Sequence, residues 1–183
     1  MLAGCAATQR EVRPTAPFAP WDSRAAALQA AQTWQLGGRA AVALGQQGWQ
    51  ASLDWRQAGE ESELHLAGPL GVGALTIKLT PAGVSLNGAA PGEAVVAQLQ
   101  DRLGFDLPLG NLRYWLLGVP DPSLPFELKR NAQDRAAQLI QADWNIEYDG
   151  YSPNDGDLLP KRLVLTRADA RVRIAVDHWT APK

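Results

Sequence analysis

The chain has 183 residues and a formal net charge of −2, enough for one domain with a substantial core and without the basic excess of a nucleic-acid-binding protein. It contains no run of about eighteen apolar residues, so no membrane-spanning helix is expected. The single cysteine excludes an internal disulfide and a zinc site built from several thiolates, while seven tryptophans supply large apolar area for a core, a pocket or a membrane interface.

The cysteine, Cys5, stands in Leu2-Ala3-Gly4-Cys5. Either it is a free thiol at a frayed end, or the tetrapeptide is the lipobox that closes a bacterial lipoprotein signal. In the second case Cys5 becomes the lipidated first residue of the mature chain. The basic and apolar regions of a complete signal do not precede it in these residues. Ala6, rather than an aspartate, follows the cysteine, as in lipoproteins addressed to the outer membrane. Ala6 to Pro20 carries Pro14, Pro17 and Pro20 without periodicity and is expected to be a flexible tether. The expected organisation is therefore a lipobox remnant over 1–5, a tether over 6–20 and one domain over 21–183.

Trp21 to Gln35 is rich in alanine and predicts a helix, with Asp22 or Ser23 as its cap and Trp21, Ala25 and Leu28 near one face. Gly37-Gly38 is expected to end it and open a strand. From there the period is two. Trp49, Ala51, Leu53 and Trp55 point one way, and Gln50, Ser52, Asp54 and Arg56 the other. The alternation returns in Leu64 and Leu66, in Leu75, Ile77 and Leu79 over a strand from Val72 to Thr80, and in Val84 and Leu86. Short turns join these strands into a meander. Arg39 falls on the solvent side by parity; a polar contact to the helical insert is the alternative.

Between the second and third of these alternating stretches lies Gly68-Pro69-Leu70-Gly71, a turn with leucine at its tip. Leu70 either folds back onto the core or stands exposed; as the only large side chain of a tight turn it is expected to stand exposed. After the fifth strand, Pro91-Gly92-Glu93 starts a helix running to Leu103, with Val95, Leu99 and Leu103 in one stripe. Leu109 to Leu117 predicts a second, with Leu112, Trp115 and Leu116 on its apolar side. Strands resume at Phe126–Arg130 and Arg135–Gln141, then at Trp144/Ile146/Tyr148, Leu163/Leu165 and Val172/Ile174/Val176. Gly150 to Pro160 is expected to be a polar loop.

The fold class expected is mainly β: a curled, half-open antiparallel barrel of about ten to eleven strands, with helices covering an apolar interior. That interior would hold Trp49, Leu53, Trp55, Leu64, Leu66, Leu75, Ile77 and Leu79 from the first strands and Leu112, Trp115 and Leu116 from the second helix. Trp144, Ile146, Tyr148, Leu163, Leu165, Val172, Ile174 and Val176 would complete it. Residue type alone leaves open whether this face lines a cavity or packs as an ordinary core.

The sequence carries no GxSxG elbow, P-loop or GxGxxG. His65 and His178 are far apart and lie in strand patterns, and Glu60-Glu61 sits in a turn. No enzyme activity, cofactor or metal is expected; a hydrolase or a structural lipoprotein with a packed barrel are the competing classes.

Several motifs in order carry a resemblance: Trp34-x-Leu36-x-Gly38-Arg39, Gly48-Trp49-x-Ala51-x-Leu53-x-Trp55-x-Gln57 and Gly68-Pro69-Leu70-Gly71. Later come Leu107-Pro108-Leu109, Leu112-x-x-Trp115-x-x-Gly118, Trp144-x-x-x-Tyr148, Leu159-Pro160 and Trp179. With Leu2-Ala3-Gly4-Cys5 they resemble the LolB family of outer-membrane lipoprotein receptors. The resemblance implies a half-open barrel with a helical lid, anchored in the outer membrane by acyl chains on Cys5 and facing the periplasm. It implies a monomer that takes acylated lipoproteins from the periplasmic carrier LolA, shelters their acyl chains in the cavity and delivers them to outer-membrane lipids. It also implies that Gly68, Pro69, Leu70 and Gly71 form a membrane-contact loop and that neither nucleic acid nor cofactor takes part.

Overall fold

The period-two segments pair in nearly the order in which they occur. The computed structural model describes residues 19–154, 157–180 and 182–183. Helix α1 (Trp21–Ala30) leads into β1 (Thr33–Leu44), β2 (Gln47–Ala58), β3 (Glu61–Ala67), β4 (Leu75–Thr80) and β5 (Gly83–Leu86). Helices α2 (Glu93–Leu103) and α3 (Leu109–Leu116) follow. Then come β6 (Phe126–Arg130), β7 (Ala136–Gln141), β8 (Trp144–Tyr148), β9 (Tyr151–Asn154), β10 (Asp157–Pro160), β11 (Arg162–Arg167) and β12 (Ala170–Thr180).

Ten strands form one antiparallel sheet in the order β5-β4-β3-β2-β1-β12-β11-β8-β7-β6, and β9 pairs with β10 in a separate hairpin. The sheet curls without closing, with β5 and β6 at its edges. A sheet of this size has to curl, split or close to manage its twist and its edges. Its apolar face turns inward, and the three helices add Leu28, Leu99 and Trp115 to the same buried cluster. Each such leucine contributes roughly 1.5–3 kcal/mol of hydrophobic stabilisation when taken out of water.

The strand β12 keeps its even-numbered residues inside as far as Val176, and then the parity changes. Gly37 of β1 pairs with His178 and Gly38 with Val176, so Asp177 is an extra residue on β12. This bulge turns Trp179 inward, where its ring lies 5.7 Å from that of Trp34. The two glycines make the bulge possible. A Cβ on Gly37 would collide with the His178 ring, and one on Gly38 with the Ala175 carbonyl oxygen.

Four expectations are corrected. Helix α1 ends at Ala30 rather than Gln35, because Trp34 is taken into the sheet. Trp34 stacks on Trp55 at 5.8 Å, and Gln32 and Thr33 donate their N–H groups to the Lys183 carbonyl. Tertiary packing here overrides the helical preference of the preceding alanines. Neither Asp22 nor Ser23 caps α1; instead the Trp21 N–H donates to Asp134 Oδ2 at 3.0 Å. Strand β4 starts at Leu75, so 72–74 belong to the preceding loop. Finally, 150–160 is not a polar loop. It contains the β9–β10 hairpin, fastened by Tyr151 Oη donating to Ala136 O at 2.7 Å and by the buried Leu159.

Candidate functional site

The tip loop between β3 and β4 is held by its own backbone. Gly68 N–H donates to Val72 O, Gly71 N–H to Gly68 O and Val72 N–H to Pro69 O. Pro69 opens the resulting single turn, as its fixed φ allows. At the apex Leu70 has φ 59° and ψ 23°, a left-handed conformation. That conformation raises the energy of an L-residue by about 1–2 kcal/mol. Its side chain is 103% exposed and that of Val72 is 73% exposed. Of the two alternatives left by the sequence, Leu70 takes the exposed one.

Beside this loop opens a cleft of about 370 Å³, lined by Trp49, Leu66, Pro69, Val72, Leu75 and Leu103 together with Gln50 and Arg102. Trp49, Leu66 and Leu75 were candidates from the sheet alternation. Val72 and Leu103 were not assigned to a site. The α2 stripe of Val95, Leu99 and Leu103 was the signal that could have brought Leu103 in, since the same spacing seats it against the sheet.

The other candidates converge on one interior. Leu53, Trp55, Leu64, Ile77, Leu112, Trp115, Leu116, Trp144, Ile146, Tyr148, Leu163, Leu165, Val172, Ile174 and Val176 are buried together, and Leu79 is partly buried against them. Side chains from α1 and α3 fill the space between. Trp115, Leu116, Ile146 and Leu165 are fully inaccessible.

Buried polar groups are bonded at defined places. The Gln141 side chain accepts from Trp115 Nε1 at 2.8 Å and from the Asp121 N–H at 2.9 Å, and donates to Asp121 O at 2.9 Å. Tyr148 Oη donates to Trp115 O at 3.0 Å. Burial, and secondarily the neighbouring Tyr151, pushes the Tyr148 phenol well above the usual tyrosine range. Buried Arg24 and Arg135 share Asp157, with N···O distances of 2.8 and 3.2 Å, tying α1 to the β9–β10 hairpin. None of these groups lines the tip-loop cleft, where Gln50 and Arg102 are the polar side chains among mostly apolar neighbours.

Arg39 lies on the outer face, paired with Asp177 at 3.0 Å rather than with the helical insert. His65 Nδ1 lies 3.1 Å from Thr76 Oγ1, an ordinary cross-strand contact. Cys5 and the tether to residue 18 lie outside the described residues.

With this geometry in hand, the chain can be set beside known proteins. Its fold is shared with a crystal structure of a LolA superfamily protein from Nitrosomonas europaea, at a TM-score of 0.57 and 9% identity over 90% of this chain and 94% of that one. A protein of Nitrosococcus oceani named outer-membrane lipoprotein LolB is 34% identical, covering 98% of this chain and 92% of its relative. One of the same name from Stutzerimonas stutzeri is 30% identical over 98% of this chain and 90% of the relative. The family model for outer membrane lipoprotein LolB matches residues 32–179, from the start of the sheet to the re-aimed Trp179. The chain belongs to the outer membrane lipoprotein LolB family.

Proposed function

We propose that the protein is an outer-membrane receptor that accepts lipoproteins from the periplasmic carrier LolA, shelters their acyl chains and inserts them into the outer membrane. In this reading Cys5 carries the acyl anchor, the domain faces the periplasm, and a single copy acts without a cofactor. Membership of a lipoprotein-binding and transport family supports it.

The observation that carries the reading is Leu70. A large apolar side chain stands fully exposed, on a backbone conformation that disfavours it, in the loop whose Gly68, Pro69 and Val72 line a mainly apolar cleft. Transfer of acyl chains needs such a combination. Each methylene kept from water is worth about 0.8 kcal/mol, so the chains travel only under cover. The cleft of Trp49, Leu66, Val72 and Leu75 is the entrance, and moving α2 away from the sheet would extend it into the interior. Release is downhill where a bilayer solvates the chains better than the cleft. Leu70 inserted among lipid tails lowers the barrier by disturbing their packing.

The test is Leu70→Glu, read by thermal melting and by a two-step transfer assay. Stability changes by less than about 0.5 kcal/mol, as for a surface substitution. Loading from the carrier continues, and delivery into vesicles falls because a carboxylate resists entering hydrocarbon. A variant that delivers at the wild-type rate would refute the membrane-contact role.

One observation favours a second reading, a structural lipoprotein with a packed barrel. The interior around Trp115, Leu116 and Leu165 is filled by side chains. Titration with a fluorescent acyl probe separates the two. Saturable binding weakened by Leu53→Ala supports transfer, and the absence of binding supports the packed barrel.

A further inference from the structure

A second concavity lies on the opposite, outer face of the sheet, a groove of about 910 Å³. The tip loop, Gly68 to Gly71, forms one wall, and the floor crosses β3, β2, β1, β12 and β11. Strand register builds the floor from two rungs. One runs Ala67, Ser52, Arg39, Ala175, Arg162. The next runs Gln50, Ala41, Arg173, Val164. Alanines and serine make the trough, and the arginines stand along it.

The charge of the lining is one-sided: Arg39, Arg162 and Arg173 against the single acid Asp149. Arg162 pairs with Asp149 at 2.9 Å and Arg39 with Asp177 at 3.0 Å, and in both pairs each side chain is more than half exposed. Pairs of this kind contribute little and give way to a better partner. Arg173 has no ion pair among the described residues. A guanidinium grips a phosphate through two parallel N–H bonds, so three of them around a shallow trough suit one phosphodiester. The wall of the trough is also the loop that carries the exposed Leu70 and leads into the exposed Val72. An apolar tip backed by arginines is the arrangement that places one in hydrocarbon and the other at the level of lipid headgroups.

We propose that this groove seats the phosphodiester headgroup of an anionic phospholipid while Leu70 enters the bilayer. The inference rests on the delivery function proposed above and adds to it a lipid-recognition site outside the acyl interior.

The experiment is co-sedimentation of the full 183-residue chain, produced without acylation, with phosphatidylcholine vesicles and with vesicles containing phosphatidylglycerol. The wild type prefers the anionic vesicles, and salt removes the preference. The double variant Arg39→Gln/Arg173→Gln loses about thirtyfold in partitioning to anionic vesicles, since each basic group near such a surface contributes about fivefold. Its loss on neutral vesicles is smaller, because the choline cation of phosphatidylcholine offsets the same phosphodiester charge, and its melting temperature stays as in the wild type. Should the double variant fold poorly, Arg173→Gln alone gives the same direction of change, because Arg173 holds no ion pair. Retention of the anionic preference by these variants would overturn the site. So would an equal loss on neutral vesicles, or saturation of the groove by inorganic phosphate at micromolar concentration, which would mark a site for a free anion. Leu70→Glu lowers binding to both kinds of vesicle. If Leu70→Glu blocks delivery while the arginine variants keep their lipid preference, only the groove falls. If Leu70→Glu delivers normally, the delivery reading falls with it.

Discussion

Helices α2 and α3 follow one another in the chain and both bury an apolar stripe against the sheet, but they are fastened by different physics. Helix α3 buries Leu109, Leu112, Trp115 and Leu116, and directional bonds fix it. The Trp115 indole donates to Gln141, its carbonyl accepts from Tyr148, and Asn111 donates to Asp121 at 2.8 Å. Helix α2 buries Val95, Leu99 and Leu103. Among the described residues its side chains make no hydrogen bond or ion pair. Apolar contact has magnitude without direction, so α2 can shift or lift without leaving a buried polar group unpaired. Its last turn, Arg102 and Leu103, borders the tip-loop cleft. The helix seated by apolar contact alone is therefore the one that borders the tip-loop cleft.

The contrast can be tested from its strongest term downward. Trp115→Ala removes the largest side chain of α3 and its bond to Gln141, and is expected to destabilise the domain by about 3–5 kcal/mol in urea unfolding. A loss below about 1 kcal/mol would mean that α3 is not the anchored helix. Gln141→Leu keeps the volume but strips the Trp115 indole and the Asp121 N–H of their acceptor. The expected loss is about 1–3 kcal/mol for each donor left unsatisfied.

Titration gives a milder probe of the same anchor. Burial holds the Tyr148 phenol neutral in the folded chain and also raises Tyr151. A raised folded pKa gives a contribution that is complete below the unfolded value near 10 and declines as pH rises above it. Stability is thus expected to be unaffected by these groups up to about pH 9 and then to fall, by roughly 1 kcal/mol per pH unit for each tyrosine. Tyr148→Phe should flatten that fall, which denaturant melts at several pH values would reveal.

The smallest effect has the opposite sign. Leu70→Gly relieves the left-handed strain and is expected to stabilise the domain by about 0.5 kcal/mol while abolishing delivery. A loss of stability would show that the leucine side chain makes supporting contacts.

The sequence made the regular half of this molecule readable. Strict alternation through Trp49–Trp55, Leu64–Leu66 and Leu75–Leu79 identified β2, β3 and β4, because one buried face imposes a period of two. The spacing of Val95, Leu99 and Leu103 identified α2 in the same way. It misplaced the first part of β1, since Trp34 joins the sheet through rings far away at Trp55 and Trp179. It missed the β9–β10 hairpin, whose hold on the body depends on Tyr151 and on Asp157 between two arginines from distant segments. At the candidate site, glycine and proline marked the turn and left Leu70 as its one large side chain, so its exposure was legible; its left-handed torsion was not. The outer trough was invisible as well. It exists only because register aligns Arg39, Arg162 and Arg173 from three strands.

The bare apolar seat of α2 also has a thermal consequence. Transfer of apolar surface into water has almost no enthalpy near room temperature and a large positive heat capacity, so the force holding such a seat weakens on cooling. Hydrogen bonds like those of Gln141 do not share that trend. As the temperature drops, the apolar hold on α2 is therefore expected to weaken more than the bonded hold on α3.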